Sequence, residues 1–178
     1  ALTLAADAAA QVTDGQRLAK SKCAQCHGAD GTDTAISAPR LAGLAPAYLE
    51  KQLKAFAEGR RRSDEMTPIA TELSEEDGRN VAKWYAQQRL AGAPRAPAAN
   101  PKLAETGRRM YEEGNGNPDG QPCATCHQPD AVGNARFPRL AGQSRTYLAR
   151  QLTDFKTGRR TTDAQMTVEA QTLSEQDI

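Results

Sequence analysis

Apolar residues along the chain recur at helical intervals rather than in alternation. Leu49, Leu53 and Phe56 are spaced by four and then three residues, which places them on one face of a helix. A second segment repeats these intervals in the other half of the chain, and it contains Leu148, Leu152 and Phe155. No alternating strand pattern competes with this periodicity, so we predict an all-α fold.

Helix start and stop residues fit the same pattern. Pro46 suits the first turn of the helix that contains Phe56, and Gly59 is placed to end it. Ser74 followed by Asp77 resembles a capping box. We expect it to open a further helix, which carries Val81, Trp84 and Tyr85.

An ordered series of short motifs occurs twice. CAQCH at residues 23–27 returns as CATCH at residues 123–127, and the PRLAG, Gly-Arg-Arg, Met-Thr and LSExD motifs follow in the same order in both halves. Such ordered identity predicts two copies of one domain. The expected segments are an export-signal remnant or frayed terminus at 1–10, domains at 11–90 and 103–178, and an Ala/Pro-rich linker at 91–102.

Composition limits the possible functions. The formal net charge is only +1, which does not favour a nucleic-acid binder, and no apolar run is long enough to span a bilayer. Leu, Ile, Val and Phe together account for 24 of 178 residues. Two small domains with so little apolar volume need an additional source of stability, which could be a disulfide, a metal or a large apolar cofactor.

The two CxxCH units contain every cysteine and histidine of the chain. Zinc is disfavoured because adjacent cysteine and histidine side chains would struggle to reach one tetrahedral ion, and no further ligand completes the set. A thioredoxin-like redox pair would sit beside a βαβ pattern, which is missing from the sequence. Covalent haem attachment fits: both thiols bond to the porphyrin edge and the histidine is an axial iron ligand. We therefore predict two covalently bound haem c groups, at Cys23, Cys26 and His27 and at Cys123, Cys126 and His127.

Methionine is the candidate for the sixth iron ligand. Met66 lies 39 residues after His27, and Met166 lies 39 residues after His127. Both are expected in loops between helices, whereas Met110 has no counterpart and is interpreted as core packing. A His/Met iron is saturated and has a raised potential, so each haem should pass single electrons.

The paired motifs, including FPRLAGQ at residues 137–143, resemble the dihaem cytochrome c4 family over residues 14–178. The resemblance implies two class I cytochrome c folds related by a pseudo-twofold axis. It also implies an exported periplasmic protein, soluble or attached to the inner membrane, that accepts electrons from a quinol-oxidising complex or small cytochrome. The electron acceptor would be a terminal oxidase. The carbonyls of Pro39 and Pro138 would accept the proton of the proximal histidines.

Domain two departs from this family pattern at its end. It stops at Ile178, where the counterpart of the helix that carries Val81, Trp84 and Tyr85 should start, so it lacks its C-terminal helix in this chain. We expect either that the full protein continues or that a partner covers this face.

Two further features have open interpretations. The arginines before each methionine, including Arg61 and Arg160, could be solvated helix ends, or they could neutralise haem propionates or form part of a docking surface. An insertion before Cys123, within residues 112–122, is rich in Gly, Asn and Pro and predicts a loop, but the sequence suggests no role for it.

The leading hypothesis is a periplasmic electron carrier without catalytic residues. The alternative is an electron-accepting cytochrome subunit of an enzyme complex that oxidises sulfur compounds. Catalysis or gas sensing at one haem is a third hypothesis, which requires an open sixth position on that iron.

Overall fold

The computed structural model describes residues 14–32, 38–90 and 100–178. The chain divides into two compact units, Ala1–Ala91 and Gly92–Ile178. Every regular element in the described ranges is a helix, which confirms the all-α prediction. The predicted amino-terminal segment, 1–10, and most of the predicted linker, 91–102, lie outside the described residues.

Unit 1 begins with helix α1, residues 14–27, which runs directly into the first CxxCH motif. It contains a π-helical turn at Ala19–Cys23 and returns to α-helix at Ala24–His27. The helices that follow in unit 1 are α2, α3 and α4, at Pro46–Ala57, Met66–Glu72 and Glu75–Gln87.

The predicted helix ends of unit 1 are confirmed. Pro46 is the first residue of α2, and Gly59 follows its end with a φ of 73°, a left-handed conformation that glycine adopts without strain. Ser74 Oγ accepts the backbone N–H of Asp77, while the Asp77 carboxylate accepts the backbone N–H of Ser74. This reciprocal capping box fixes the start of α4.

The core of unit 1 forms where α1, α2 and α4 meet. Its members are buried apolar side chains, namely Leu18, Ala19, Leu44, Leu49, Val81, Ala82 and Tyr85. Gly15 allows the close approach of α1 to α4, because a Cβ at this position would lie 2.2 Å from the carbonyl oxygen of Asn80.

Unit 2 repeats the order of the first three helices. Its helices are α5, α6, α7 and α8, at Pro101–Glu113, Cys123–His127, Arg145–Lys156 and Ala164–Thr172. The buried apolar residues in the described part of unit 2 are Tyr147, Phe155 and Ala170. No residue of α5 is buried, and the space around Gly107, the counterpart of Gly15, is open. Residues after α8 form a turn in which Ser174 and Asp177 exchange hydrogen bonds.

None of the helices in the described parts of the chain combines the length and the apolar character needed to cross a membrane.

Candidate haem-binding sites

The four cysteines all lie in described residues, and none of them is paired in a disulfide. In each motif the two thiols are three residues apart on helical backbone, a spacing that brings side chains to one side of a helix. Burial raises the pKa of the Cys23 and Cys123 thiols, so both are protonated at neutral pH. Each motif therefore offers a pair of thiols beside its histidine.

The two histidines are held in the same way. His27 Nδ1 lies 2.8 Å from the carbonyl oxygen of Pro39, and His127 Nδ1 lies 2.9 Å from that of Pro138. Because a carbonyl only accepts, each Nδ1 must carry the proton and donate it. The lone pair of each neutral ring is therefore on Nε2, where it can bind a metal.

Burial also sets the charge of these rings. The exposed fraction is 5% for His27 and 6% for His127. Desolvation lowers the pKa of both imidazoles, although the hydrogen bonds to the proline carbonyls act in the opposite direction. The histidines are therefore neutral at physiological pH, which is the form that ligates iron.

The structure places Met66 and Met166 in helices, so the prediction that they lie in loops is wrong. Met66 is the first residue of α3, and Met166 is the third residue of α8. The cause is a polar residue three positions earlier in each unit: Ser63 Oγ accepts the backbone N–H of Met66, and Asp163 Oδ1 accepts that of Met166. Both methionine side chains are half-buried.

A buried guanidinium recurs in each unit. Arg61 is 7% exposed, lies over the ring of Phe56 at 4.5 Å from its centroid, and donates to Gln52 Oε1 at 2.9 Å. Arg160 makes the same contacts in unit 2, where it is 5% exposed. It lies 4.4 Å from the centroid of the Phe155 ring and donates to Gln151 Oε1 at 2.9 Å. The interpretation of these two arginines as solvated helix ends is therefore wrong.

Aromatic hydroxyl groups bind the backbone just beyond each motif. In unit 1, Tyr85 from α4 donates to the carbonyl of Gly28 at 3.1 Å. In unit 2, Tyr111 from α5 donates to the carbonyl of Gln128, the corresponding residue, at 2.6 Å. The sequence did not single out Tyr111, because the matching hydroxyl in unit 1 comes from a different helix.

The backbone that these tyrosines hold has an unusual conformation. Gly28 and Gln128 have φ values of 75° and 71° with ψ values of 154° and 153°, a region that non-glycine residues rarely adopt. The turn after the motif is thus shared by both units, although only unit 1 has the glycine that suits it.

These residues fit a covalently attached haem better than a metal ion held by protein alone. Across the described ranges, no three His, Cys, Asp or Glu side chains converge on a point where an ion could bind. Each unit nevertheless supplies two thiols, one imidazole nitrogen and one thioether. In addition, Arg139 Nε is buried without a hydrogen-bond partner, and a haem propionate would supply the anionic acceptor that it needs.

Comparisons with known proteins agree with this geometry. The family model described as cytochrome c matches residues 12–91 and again residues 104–178. Cytochrome c4 from Pseudomonas aeruginosa is 39% identical, over 99% of this chain and 88% of the relative.

Solved structures give the same result. The reduced cytochrome c4 of Pseudomonas stutzeri is similar with a TM-score of 0.80 and 36% identity, over 92% of this chain and 90% of that one. A thiosulfate dehydrogenase from Marichromatium purpuratum is similar with a TM-score of 0.83 and 38% identity, over 93% of this chain. The match covers only 38% of the dehydrogenase chain. The chain therefore belongs to the cytochrome c family and, within it, to the dihaem cytochromes c4, electron carriers that hold two covalently bound haem c groups.

Proposed function

We propose that each unit binds its haem through one complete and equivalent ligand set. Thioether bonds form at Cys23 and Cys26 in unit 1 and at Cys123 and Cys126 in unit 2. His27 and His127 are the proximal iron ligands through Nε2, and Met66 and Met166 supply the sixth ligand.

One observation carries this proposal. Both units fix a neutral, buried imidazole through a proline carbonyl, which leaves Nε2 available to a metal. Both also hold a half-buried methionine in the first turn of a capped helix, 39 residues after that histidine. Two independent copies of one donor geometry support a shared ligand set rather than chance packing.

The ligand set determines the chemistry. A haem with histidine and methionine ligands takes up and releases one electron at a raised potential, without an open iron position for a substrate. The chain's contribution is to orient the imidazole, to supply the thioether and to exclude water from both. The protein would therefore carry one electron in each unit and catalyse no bond-making or bond-breaking reaction.

The proposal is tested with Met66→Ala and Met166→Ala in the holoprotein. We expect two one-electron centres in a redox titration of the wild type and no carbon monoxide binding to the ferrous form. Each variant should lower one of the two potentials by about 0.1 V or more, within the roughly 0.8 V range that axial ligands control. Each should also bind one equivalent of carbon monoxide, because one iron position is now open.

Two outcomes would overturn the ligand assignment. One is a Met166→Ala protein with the ferrous spectrum and carbon monoxide affinity of the wild type, which would instead support an open, gas-binding haem in unit 2. The other is a titration with fewer than two one-electron centres.

We propose further that the protein works in the periplasm, either soluble or attached to the inner membrane. There it would receive electrons from a quinol-oxidising complex or a small cytochrome and pass them to a terminal oxidase. The cytochrome c4 relatives support this assignment. A strain that lacks the protein should show slower oxidase-dependent oxygen uptake, and unchanged uptake would count against this acceptor.

The similarity to a thiosulfate dehydrogenase supports a second candidate. In this alternative the chain accepts the electrons that a separate catalytic subunit removes from a sulfur compound. It predicts stable co-purification with that subunit and reduction of both haems when the sulfur compound is added. A protein that purifies alone as a monomer, and that stays oxidised under these conditions, favours the free carrier.

A further inference from the structure

The insert loop, residues 114–122, contacts the helix that carries Met166. Asn115 Nδ2 donates to the carbonyl oxygen of Thr172 at 2.9 Å, at the end of α8. The backbone N–H of Gln121 donates to Glu169 Oε2 at 2.7 Å, in the middle of the same helix. Gly120 packs between these bonds, since a Cβ there would lie 3.0 Å from Thr172 Oγ1.

The loop is itself held in a defined conformation. Asn115 Oδ1 accepts the backbone N–H of Asn117, and Asn117 Oδ1 accepts that of Asp119. The Gly120 N–H adds a turn bond to the carbonyl of Asn117. Because these local bonds stiffen the loop, its contacts with α8 can fix the position of α8 relative to Cys123. Cys123 follows the loop directly and is the first residue of α6.

Unit 1 connects the same two elements by different chemistry. Lys22, just before Cys23, forms an ion pair with Glu72 at the end of α3, with an N–O distance of 2.8 Å. The two side chains are 40% and 64% exposed, so salt screens this contact strongly. In unit 2 the insert loop takes the place of this ion pair with two hydrogen bonds. Asn115 donates one to the main-chain carbonyl of Thr172, and the main-chain N–H of Gln121 donates the other to Glu169.

We propose that the insert loop is a brace that positions α8 against the haem-attachment helix α6 and so keeps Met166 in place as a ligand. The inference rests on the proposed ligation by Met166. Asn115 and Glu169 are its positioning residues. As a result, the position of the methionine in unit 2 depends less on ionic strength than that of the methionine in unit 1, which loosens as salt screens the pair of Lys22 with Glu72.

Imidazole titration of the ferric holoprotein tests the brace, because imidazole binds iron only when the methionine leaves. Proton NMR separates the two haems, and Met66→Ala and Met166→Ala assign their resonances. We expect Glu169→Ala and Asn115→Ala each to raise the apparent imidazole affinity of unit 2 by about two- to tenfold, the effect of the one hydrogen bond between the loop and α8 that each variant loses. The affinity of unit 1 should not change in either variant.

Two control variants isolate the contact itself. Gln121→Ala should behave as the wild type, since its bond to Glu169 uses the backbone N–H, which the substitution retains. Glu169→Gln should also keep wild-type affinity, because it retains an acceptor oxygen at the same place. A merely structural effect of losing the carboxylate would not be rescued in this way.

The salt dependence of the wild-type protein gives a test that requires no substitution. Raising the ionic strength should increase the imidazole affinity of unit 1 more than that of unit 2. Unchanged unit 2 affinity in both Glu169→Ala and Asn115→Ala would overturn the brace. If instead Met166→Ala leaves the unit 2 resonances unaltered, the ligand assignment fails first, and the brace fails with it.

Discussion

The guanidinium groups of Arg61 and Arg160 bring a positive charge into buried surroundings in both units. A buried charge is costly unless it is solvated by hydrogen bonds and polarisable groups. Gln52 and Gln151 supply an amide oxygen, and Phe56 and Phe155 supply a ring face. The positive charge of Arg61 is also close enough to His27 to lower the pKa of that ring, in addition to the larger effect of burial. In unit 1 this arrangement favours a neutral imidazole.

Removing the amide of Gln52 should therefore destabilise unit 1. In Gln52→Ala the guanidinium of Arg61 loses one hydrogen-bond partner inside the protein, and we expect the free energy of unfolding of this unit to fall by about 1–3 kcal/mol. Trp84 is the only tryptophan of the chain and belongs to α4, so its fluorescence during urea titration reports on unit 1.

Gln151→Ala is the matched control, because it removes the same contact from unit 2. It should leave the Trp84 transition where it is in the wild type. An unchanged urea midpoint for Gln52→Ala would show that the hydrogen bond to Arg61 contributes nothing to stability.

Sequence patterns predicted some elements well and others poorly, for physical reasons. The helix ends were predictable because they depend on local backbone conformation and hydrogen bonding, which neighbouring residues determine. The examples are Pro46, Gly59 and the pair of Ser74 with Asp77. Arg61 is buried because its own side chain folds back onto the preceding helix, where it contacts Phe56 and Gln52. The spacing of residues in the sequence does not predict this side-chain conformation. The helical position of Met66 was missed because Ser63, three residues earlier, is equally typical of a turn and of a helix cap.

The contacts of the insert loop could not be predicted from the sequence either. Its composition predicts a loop, and the structure agrees, but its partners Glu169 and Thr172 lie about fifty residues later in the chain. Only the tertiary fold brings them together. The proximal contacts to Pro39 and Pro138 were expected from the family resemblance alone, and the structure confirms both.

The capping box of α4 makes part of the stability of unit 1 depend on pH. Hydrogen bonds from the Ser74 side chain, and then from its backbone N–H, hold the pKa of Asp77 below its ordinary value of 3.8. A carboxyl group with a depressed folded-state pKa stabilises the fold fully above its unfolded pKa. This contribution is lost as the pH falls through 3.8 and then through the lower folded value.

Asp77→Asn should remove this pH-dependent contribution. We expect the variant to be less stable than the wild type at neutral pH, with a difference that shrinks as the pH falls into the carboxyl range. Urea midpoints from Trp84 fluorescence, measured at a series of pH values for both proteins, give this difference directly. A gap between the two proteins that stays constant with pH would contradict the assignment to Asp77.

Charge considered over the entire chain leads to a prediction about the loaded protein. The polypeptide has a formal net charge of +1 at pH 7, with both histidines neutral. Each haem adds about two negative charges from its propionates, and its ferric centre adds about one positive charge that reduction removes. The thioether and methionine sulfurs add no charge. The holoprotein should therefore carry about −1 when oxidised and about −3 when reduced.

The reduced holoprotein should accordingly elute from an anion exchanger at higher salt than the oxidised form at pH 7, while the haem-free chain should not be retained. Such a difference would also act at a partner's surface, since association between charged proteins depends on their net charges and on salt. Identical elution of the two redox forms would show that a proton is taken up with each electron. Because neither the buried neutral imidazoles nor the methionines offer a group that gains a proton on reduction, we expect electron uptake without proton uptake, and hence separate elution.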